Sequence, residues 1–161
     1  NSTEKYDCVV LDAFTIGGRI PFHLTTREFF ELCASRMTDD GVFVMNLNSA
    51  LEGEFGEIFL HVAKTLTGVF PRVDVFAKEL SLEKPPDRGD HRNQIVIARK
   101  SGAEMKLDDW LARVPRYHEG SYVTKAMLYP FVRDLDQEWR DDIAPFPTLT
   151  DDFAPIETLK F

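Results

Sequence analysis

The chain has 161 residues, 43% hydrophobic and 12% aromatic, which suits one domain with a sizeable core and excludes a disordered chain. Nineteen basic residues against 27 acidic ones leave a net charge of −8, which argues against the basic stripe of a nucleic-acid binder. The charge suits ordinary solubility, or long-range attraction of a cationic small molecule such as a polyamine.

The first element organises the rest. Within residues 5–24, KYDCVVLDAFTIGGRIPFHL, the run Cys8, Val9, Val10, Leu11 reads as a buried strand that delivers Asp12 to its C-terminal end. A glycine-bearing loop over 15–20 follows and closes on Pro21. In open α/β sheets ligands bind outside the carboxyl ends of the strands, so an acid there is a candidate for chemistry. Capping a turn is its ordinary alternative. Only five residues precede Tyr6, so this strand would stand as a long apolar edge, which natural folds avoid. The expectation is that another chain covers the edge or, preferably, that this is the C-terminal part of a larger domain.

Thr25-Thr26-Arg27-Glu28 carries the Thr-x-x-Glu capping-box pattern and predicts a helix to about Met37, with Phe29, Phe30, Cys33 and Ala34 inward. Asp39-Asp40-Gly41 reads as a turn, and 41–47, GVFVMNL, as a second buried strand. Phe55, Ile58, Phe59, Val62, Ala63 and Leu66 recur at helical spacing, with Gly68 placed as a C-cap. Alternation over 70–78 predicts a third strand, and NQIVIARK over 93–100 a fourth. The polar, Pro- and Gly-rich segment between them is too poor in apolar residues for a crossover helix. These two strands are therefore expected to form an antiparallel hairpin.

Residues 101–161 read as a less regular extension of a single partial domain, with helices expected near 107–114 and 134–142 and a loop-like tail. The acids of 134–142 read as a solvated face. Cys8 and Cys33 look like buried small hydrophobes, and a reducing, cytoplasmic compartment is the default. No apolar run is long enough to cross a bilayer, and no leader is visible. His23, His61, His91 and His118 show no paired ligand spacing, so no metal site is predicted. His23 lies in the loop after Asp12, where a surface role is the simpler expectation. Asp151 and Asp152 form a second carboxylate pair, which turn formation alone would explain.

YDCVVLDAF, IPFHLTTREFFELCASRMTDDGVFVMN and the terminal LTDDFAPIE together resemble the spermidine synthase family, above all its divergent bacterial branch. Some members of that branch are fused to membrane transporter segments. The element order resembles the second half of the S-adenosylmethionine-dependent methyltransferase-like Rossmann fold: α/β, parallel strands plus a C-terminal antiparallel hairpin. The resemblance implies transfer of an aminopropyl group from decarboxylated S-adenosylmethionine to a polyamine such as putrescine. It implies Asp12 as the catalytic base, and Ala13, Phe14 and Pro21 as the wall of the nucleoside pocket. It also implies a place for Asp151 and Asp152 near the substrate.

Two departures stand out. The family's usual second aspartate, three residues after the first, is Thr15 here. The glycine-rich turn and ribose-binding acid that grip the co-substrate belong to the first half of the fold and do not occur in this sequence. The chain by itself is therefore expected to be inactive and to hold no cofactor tightly. The alternatives are a non-catalytic interaction or dimerisation module, motivated by the phenylalanine content, and a methyltransferase of the same fold. A phosphoacceptor receiver domain is set aside, because the acidic pair that would bind a divalent cation is absent upstream.

Overall fold

The computed structural model describes residues 3–15, 18–77, 89, 91–103, 133–134 and 137–159. Among these, five strands form one sheet: β1 (Tyr6–Leu11), β2 (Met37–Ser49), β3 (Arg72–Ala77), β4 (Arg92–Arg99) and the two-residue β5 (Arg133–Asp134). Their spatial order is β1-β2-β4-β3-β5. β1 runs parallel to β2, and every other pairing is antiparallel. This is the expected mixed α/β sheet, with β3 and β4 as the antiparallel hairpin. Among the described residues three helices accompany it: α1 (Arg27–Ser35), α2 (Glu57–Val69) and α3 (Gln137–Ile143).

The period of two along β2 decides where the core lies. Phe43, Met45, Leu47 and Ser49 are buried, while Val42, Val44, Asn46 and Asn48 on the other face are half-buried. α1 meets the buried face through Phe30, whose ring lies 5.5 Å edge-on to Phe43. Phe43 in turn stacks on Phe70 at 5.9 Å. α2 adds Ile58, Phe59, Val62, Ala63 and Leu66, all buried. α3 closes the layer with Trp139, edge-on to Phe59 at 5.6 Å. The far side of the hairpin holds a buried ion pair, Arg99 to Asp74 at 3.1 Å, with Arg72 3.7 Å from the same carboxylate.

Several local expectations give way to tertiary context. β1 is not buried: Tyr6 and Val10 are 47% and 66% exposed, and Cys8 is exposed too. Among the described residues β1 pairs with β2 alone, and its period of two turns Val9 and Leu11 toward the core and leaves Cys8 and Val10 exposed on the other face. Cys33 is buried, as its helical position predicts, and burial pushes its thiol up to about 11. α1 stops at Ser35, and Met37 already opens β2. Asp39-Asp40-Gly41 is then no turn but part of an irregularity within the strand: Tyr6 pairs with Met37, yet Cys8 pairs with Val42. The extra residues bulge outward and leave both aspartates exposed. Gly41 is tucked beneath, where a Cβ would come within 3.0 Å of Met37 Cβ and the Thr38 carbonyl oxygen.

Phe55 sits in a 3-10 turn, Glu54–Gly56, ahead of α2 and is 45% exposed rather than inward. Gly68 lies inside the last turn of α2, and Phe70 makes the cap by donating its N–H to Leu66 O at 2.8 Å. The segment expected as one helix over 134–142 divides into β5 and α3. Asp141 and Asp142 are exposed as expected, with Trp139 and Ile143 facing the core. The tail is ordered by a reciprocal Thr150–Phe153 bridge and a 3-10 turn, Pro155–Thr158. The helix expected near 107–114 and the hairpin tip at 78–88 lie outside the described residues.

Candidate active site

Asp12 follows the last residue of β1. Leu11 pairs with Met45, so Asp12 and Asn46 stand next to one another at the C-terminal end of the parallel β1–β2 seam. Asn46 Nδ2 donates to Asp12 Oδ1 at 3.1 Å. Asp12 is exposed, and no other hydrogen bond to its carboxylate occurs among the described residues. Period two places both side chains on the sheet face opposite α1 and α2.

The loop that follows is closed on itself. Thr15 N–H donates to Arg19 O at 2.6 Å, Thr15 Oγ1 donates to the same oxygen at 3.1 Å, and Gly18 N–H returns to Thr15 O at 3.0 Å. Gly18 has φ of 81°, the left-handed region that a side chain would strain. The Thr15 hydroxyl therefore donates within its own loop. Ile20 is buried and anchors the loop's exit; Pro21 then starts the 3-10 turn Phe22–Leu24. Ala13 packs against the core, while Phe14 and Phe22 are each 38% exposed. His23 is exposed and lies edge-on to Phe22.

The C-terminal segment returns to this loop. Arg19 donates from its guanidinium to the carbonyl oxygens of Glu157 and Leu159. Arg27 N–H donates to Leu149 O at 2.9 Å. Thr26, not Thr25, is the N-cap of α1, accepting from Phe29 N–H at 3.3 Å. Its hydroxyl also donates to Asp151 Oδ1 at 2.7 Å. Glu28 does not complete a capping box; its carboxylate accepts the Asp151 N–H at 3.2 Å. Asp151 thus has a structural task at the start of α1, and Asp152 beside it is exposed.

Sequence reasoning passed over two of these residues, Asn46 and Arg19. The signal for Asn46 was present: polar asparagines at 46 and 48 interrupt an otherwise apolar strand at the end facing Asp12. Arg19 gave no signal, because its partners are backbone carbonyls 138 and 140 residues away. Among the described residues no cluster of His, Cys, Asp or Glu could hold a metal ion, and no helix is long and apolar enough to cross a membrane.

No protein-family model matches the chain. Over 98% of its length it is 27% identical to a probable polyamine aminopropyl transferase of Bifidobacterium longum. It is 26% identical, again over 98%, to a polyamine aminopropyltransferase of Vibrio vulnificus. A crystal structure of a probable spermidine synthase from Corynebacterium glutamicum matches 99% of the chain with a TM-score of 0.61 at 20% identity. A spermidine synthase in complex with the transition-state analogue AdoDATO matches 89% of it, with a TM-score of 0.53 at 20% identity. The chain thus resembles polyamine aminopropyltransferases in sequence and spermidine synthases in fold. It spans 35% and 47% of the length of the two curated relatives, and 52% and 44% of the two solved chains. Among the described residues the first strand of the sheet pairs on one side only.

Proposed function

We propose that this chain carries the proton-accepting part of an aminopropyltransferase. In this reading decarboxylated S-adenosylmethionine is the co-substrate and a polyamine such as putrescine the acceptor. The acceptor nitrogen attacks the propyl carbon next to sulfur, and a C–N bond forms as the C–S bond breaks. The bond electrons stay on sulfur, which leaves as neutral methylthioadenosine. The nitrogen loses a proton to Asp12, whose charge also favours the cationic partners. Ala13, Phe14 and Pro21 contribute to the nucleoside wall, and Asp151 and Asp152 lie toward the acceptor.

The observation that carries this reading is the placement of Asp12: exposed, at the C-terminal end of a parallel strand, with one oxygen bound by Asn46 and, among the described residues, no hydrogen bond to the other. The likeness to aminopropyltransferases supports it. The closed Thr15 loop provides no second carboxylate, so selectivity for a diamine has to come from elsewhere in the full-length protein. The reading also takes the chain as one partial, methyltransferase-like domain of a cytoplasmic enzyme that works as a dimer or with the missing half of the domain. A membrane enters only through a fused transporter segment.

Asp12→Asn in the natural full-length protein tests it. Turnover is expected to fall by about 10²–10⁴-fold, the usual contribution of a positioned base, with the fold retained. Unchanged turnover overturns the assignment. The exposed edge of β1, with Val10 66% exposed, favours a second reading as a non-catalytic interaction module. Calorimetry separates the two: the enzyme binds methylthioadenosine, whereas a stable dimer without that affinity supports the module.

A further inference from the structure

We propose that Asn46 is a positioning residue for Asp12: it fixes the rotation of the carboxylate so that Oδ2 alone is presented to the acceptor nitrogen. The rate consequence rests on the aminopropyl-transfer reading; the geometry does not.

Four observations lead here. First, Asn46 Nδ2 donates to Asp12 Oδ1 at 3.1 Å, and no other group among the described residues holds this carboxylate. Second, the two residues differ in what restrains them. Asp12 is exposed and lies just outside β1, at the entrance to the loop. Asn46 lies within β2, paired with Ile95 of β4, and the strand continues beyond it to Ser49. The strand residue therefore supplies the rigid reference and the carboxylate takes its direction from it. Third, an amide turned the other way would set its oxygen lone pairs against those of the ionised carboxylate, so the donor orientation is the one that suits a base ready to accept a proton. Fourth, Asn46 Oδ1 is shielded from solvent and accepts no hydrogen bond among the described residues. A free asparagine would turn out to satisfy it. The bonded end of the side chain is the amide NH2, which faces Asp12.

A freely rotating exposed carboxylate would offer either oxygen in many orientations. Tying one oxygen leaves a single lone-pair-bearing atom with a defined direction, which in-line transfer requires, since misplacement on the scale of an ångström is costly.

The test uses the natural full-length protein. Asn46→Ala is expected to lower kcat by about 10–100-fold, with KM for decarboxylated S-adenosylmethionine within about twofold of the parent and the thermal midpoint retained. Asn46→Asp keeps the side-chain shape but sets an acceptor against an acceptor; its kcat is expected to fall at least as far. Asn46→Gln keeps the donor and is expected to recover part of the loss. Parent-like kcat in both Asn46→Ala and Asn46→Asp overturns the proposal, as does a loss confined to KM or one that follows the thermal midpoint. A parent protein that transfers no aminopropyl group to any amine defeats the functional reading instead. The geometric claim is then read from the 13Cγ resonance of Asp12, assigned with Asp12→Asn. A resonance that moves in Asn46→Ala supports the contact, and one that stays overturns it.

Discussion

The Thr26 hydroxyl donates to Asp151 Oδ1 at 2.7 Å, joining the N-cap of α1 to a residue 125 positions later. The same threonine oxygen accepts from Phe29 N–H, so one side chain both starts the helix and fastens the terminal segment to it. Thr26 is fully buried, which removes water as a replacement partner for either bond.

Thr26→Ala is therefore expected to cost about 1–2 kcal/mol, the range for a lost N-cap with a second bond added. Asp151→Ala is expected to cost about 1 kcal/mol, since its carboxylate is partly solvated. In urea unfolding the double variant should lose less than the sum, by at least about 0.5 kcal/mol, because both changes remove the same bond. Additive losses would show that the contact contributes nothing. If Asp151 instead served only the acceptor, Asp151→Asn would raise KM for the amine and leave unfolding unchanged.

The buried pair of Asp74 and Arg99 gives a larger effect. Asp74 is fully buried, and Arg99 Nη2 donates to it at 3.1 Å. Asp74→Ala removes the buried carboxylate that Arg99 and Arg72 both face and is expected to cost about 3–5 kcal/mol. Replacing both together, as Asp74→Leu with Arg99→Met, is expected to recover most of that loss. A cheap single variant in chemical denaturation would place the pair in contact with water.

Phe43 lies at the centre of the aromatic column, between Phe30 and Phe70. Phe43→Ala is expected to cost about 3–5 kcal/mol through lost burial and the cavity left behind. Val10→Ala in the isolated chain, at a site 66% exposed, should stay within about 0.5 kcal/mol. Equal costs at the two positions would mean that the core is not where Phe43 sits.

Cys33 sets an upper pH limit for part of the stability. Its folded-state thiol is raised to about 11 by burial, from an ordinary value of 9.0. The folded state therefore holds its proton longer than the unfolded state does. The associated stability is complete below the unfolded value and is lost as pH rises from there through the folded one. Cys33→Ala should remove this alkaline slope, measured as unfolding free energy between those two values. In the parent, thiol reagents should reach Cys33 only on unfolding.

Much of the fold was legible where a single period runs far enough to average out accidents. β2, α2 and the β3–β4 hairpin follow from apolar alternation or helical spacing, and Asp12 is visible as the acid ending an apolar run. The rest depends on neighbours that no local window contains. β5 has two residues, too few to show a period. Asp39-Asp40-Gly41 carries turn chemistry, yet its role is set by the register of β1 against β2. Cys8 reads as core because an apolar strand run is usually covered on both faces, and among the described residues only the face of Val9 and Leu11 is packed. Glu28 has the spacing of a capping box, and a loop from the far end of the chain claims its carboxylate instead. Asn46 meets Asp12 through one side-chain hydrogen bond, which leaves no mark on periodicity.

The bonds between Arg19 and the carbonyl oxygens of Glu157 and Leu159 carry a consequence in time as well as in space. During synthesis the loop after Asp12 leaves the ribosome long before its anchor exists. At about 5–20 residues per second, the intervening chain takes on the order of ten seconds to make. For that interval α1 has no Asp151 at its N-cap, and Arg19 has no carbonyl to hold. The sheet can assemble while the loop after Asp12 is still unanchored, and the later segment fastens it once made.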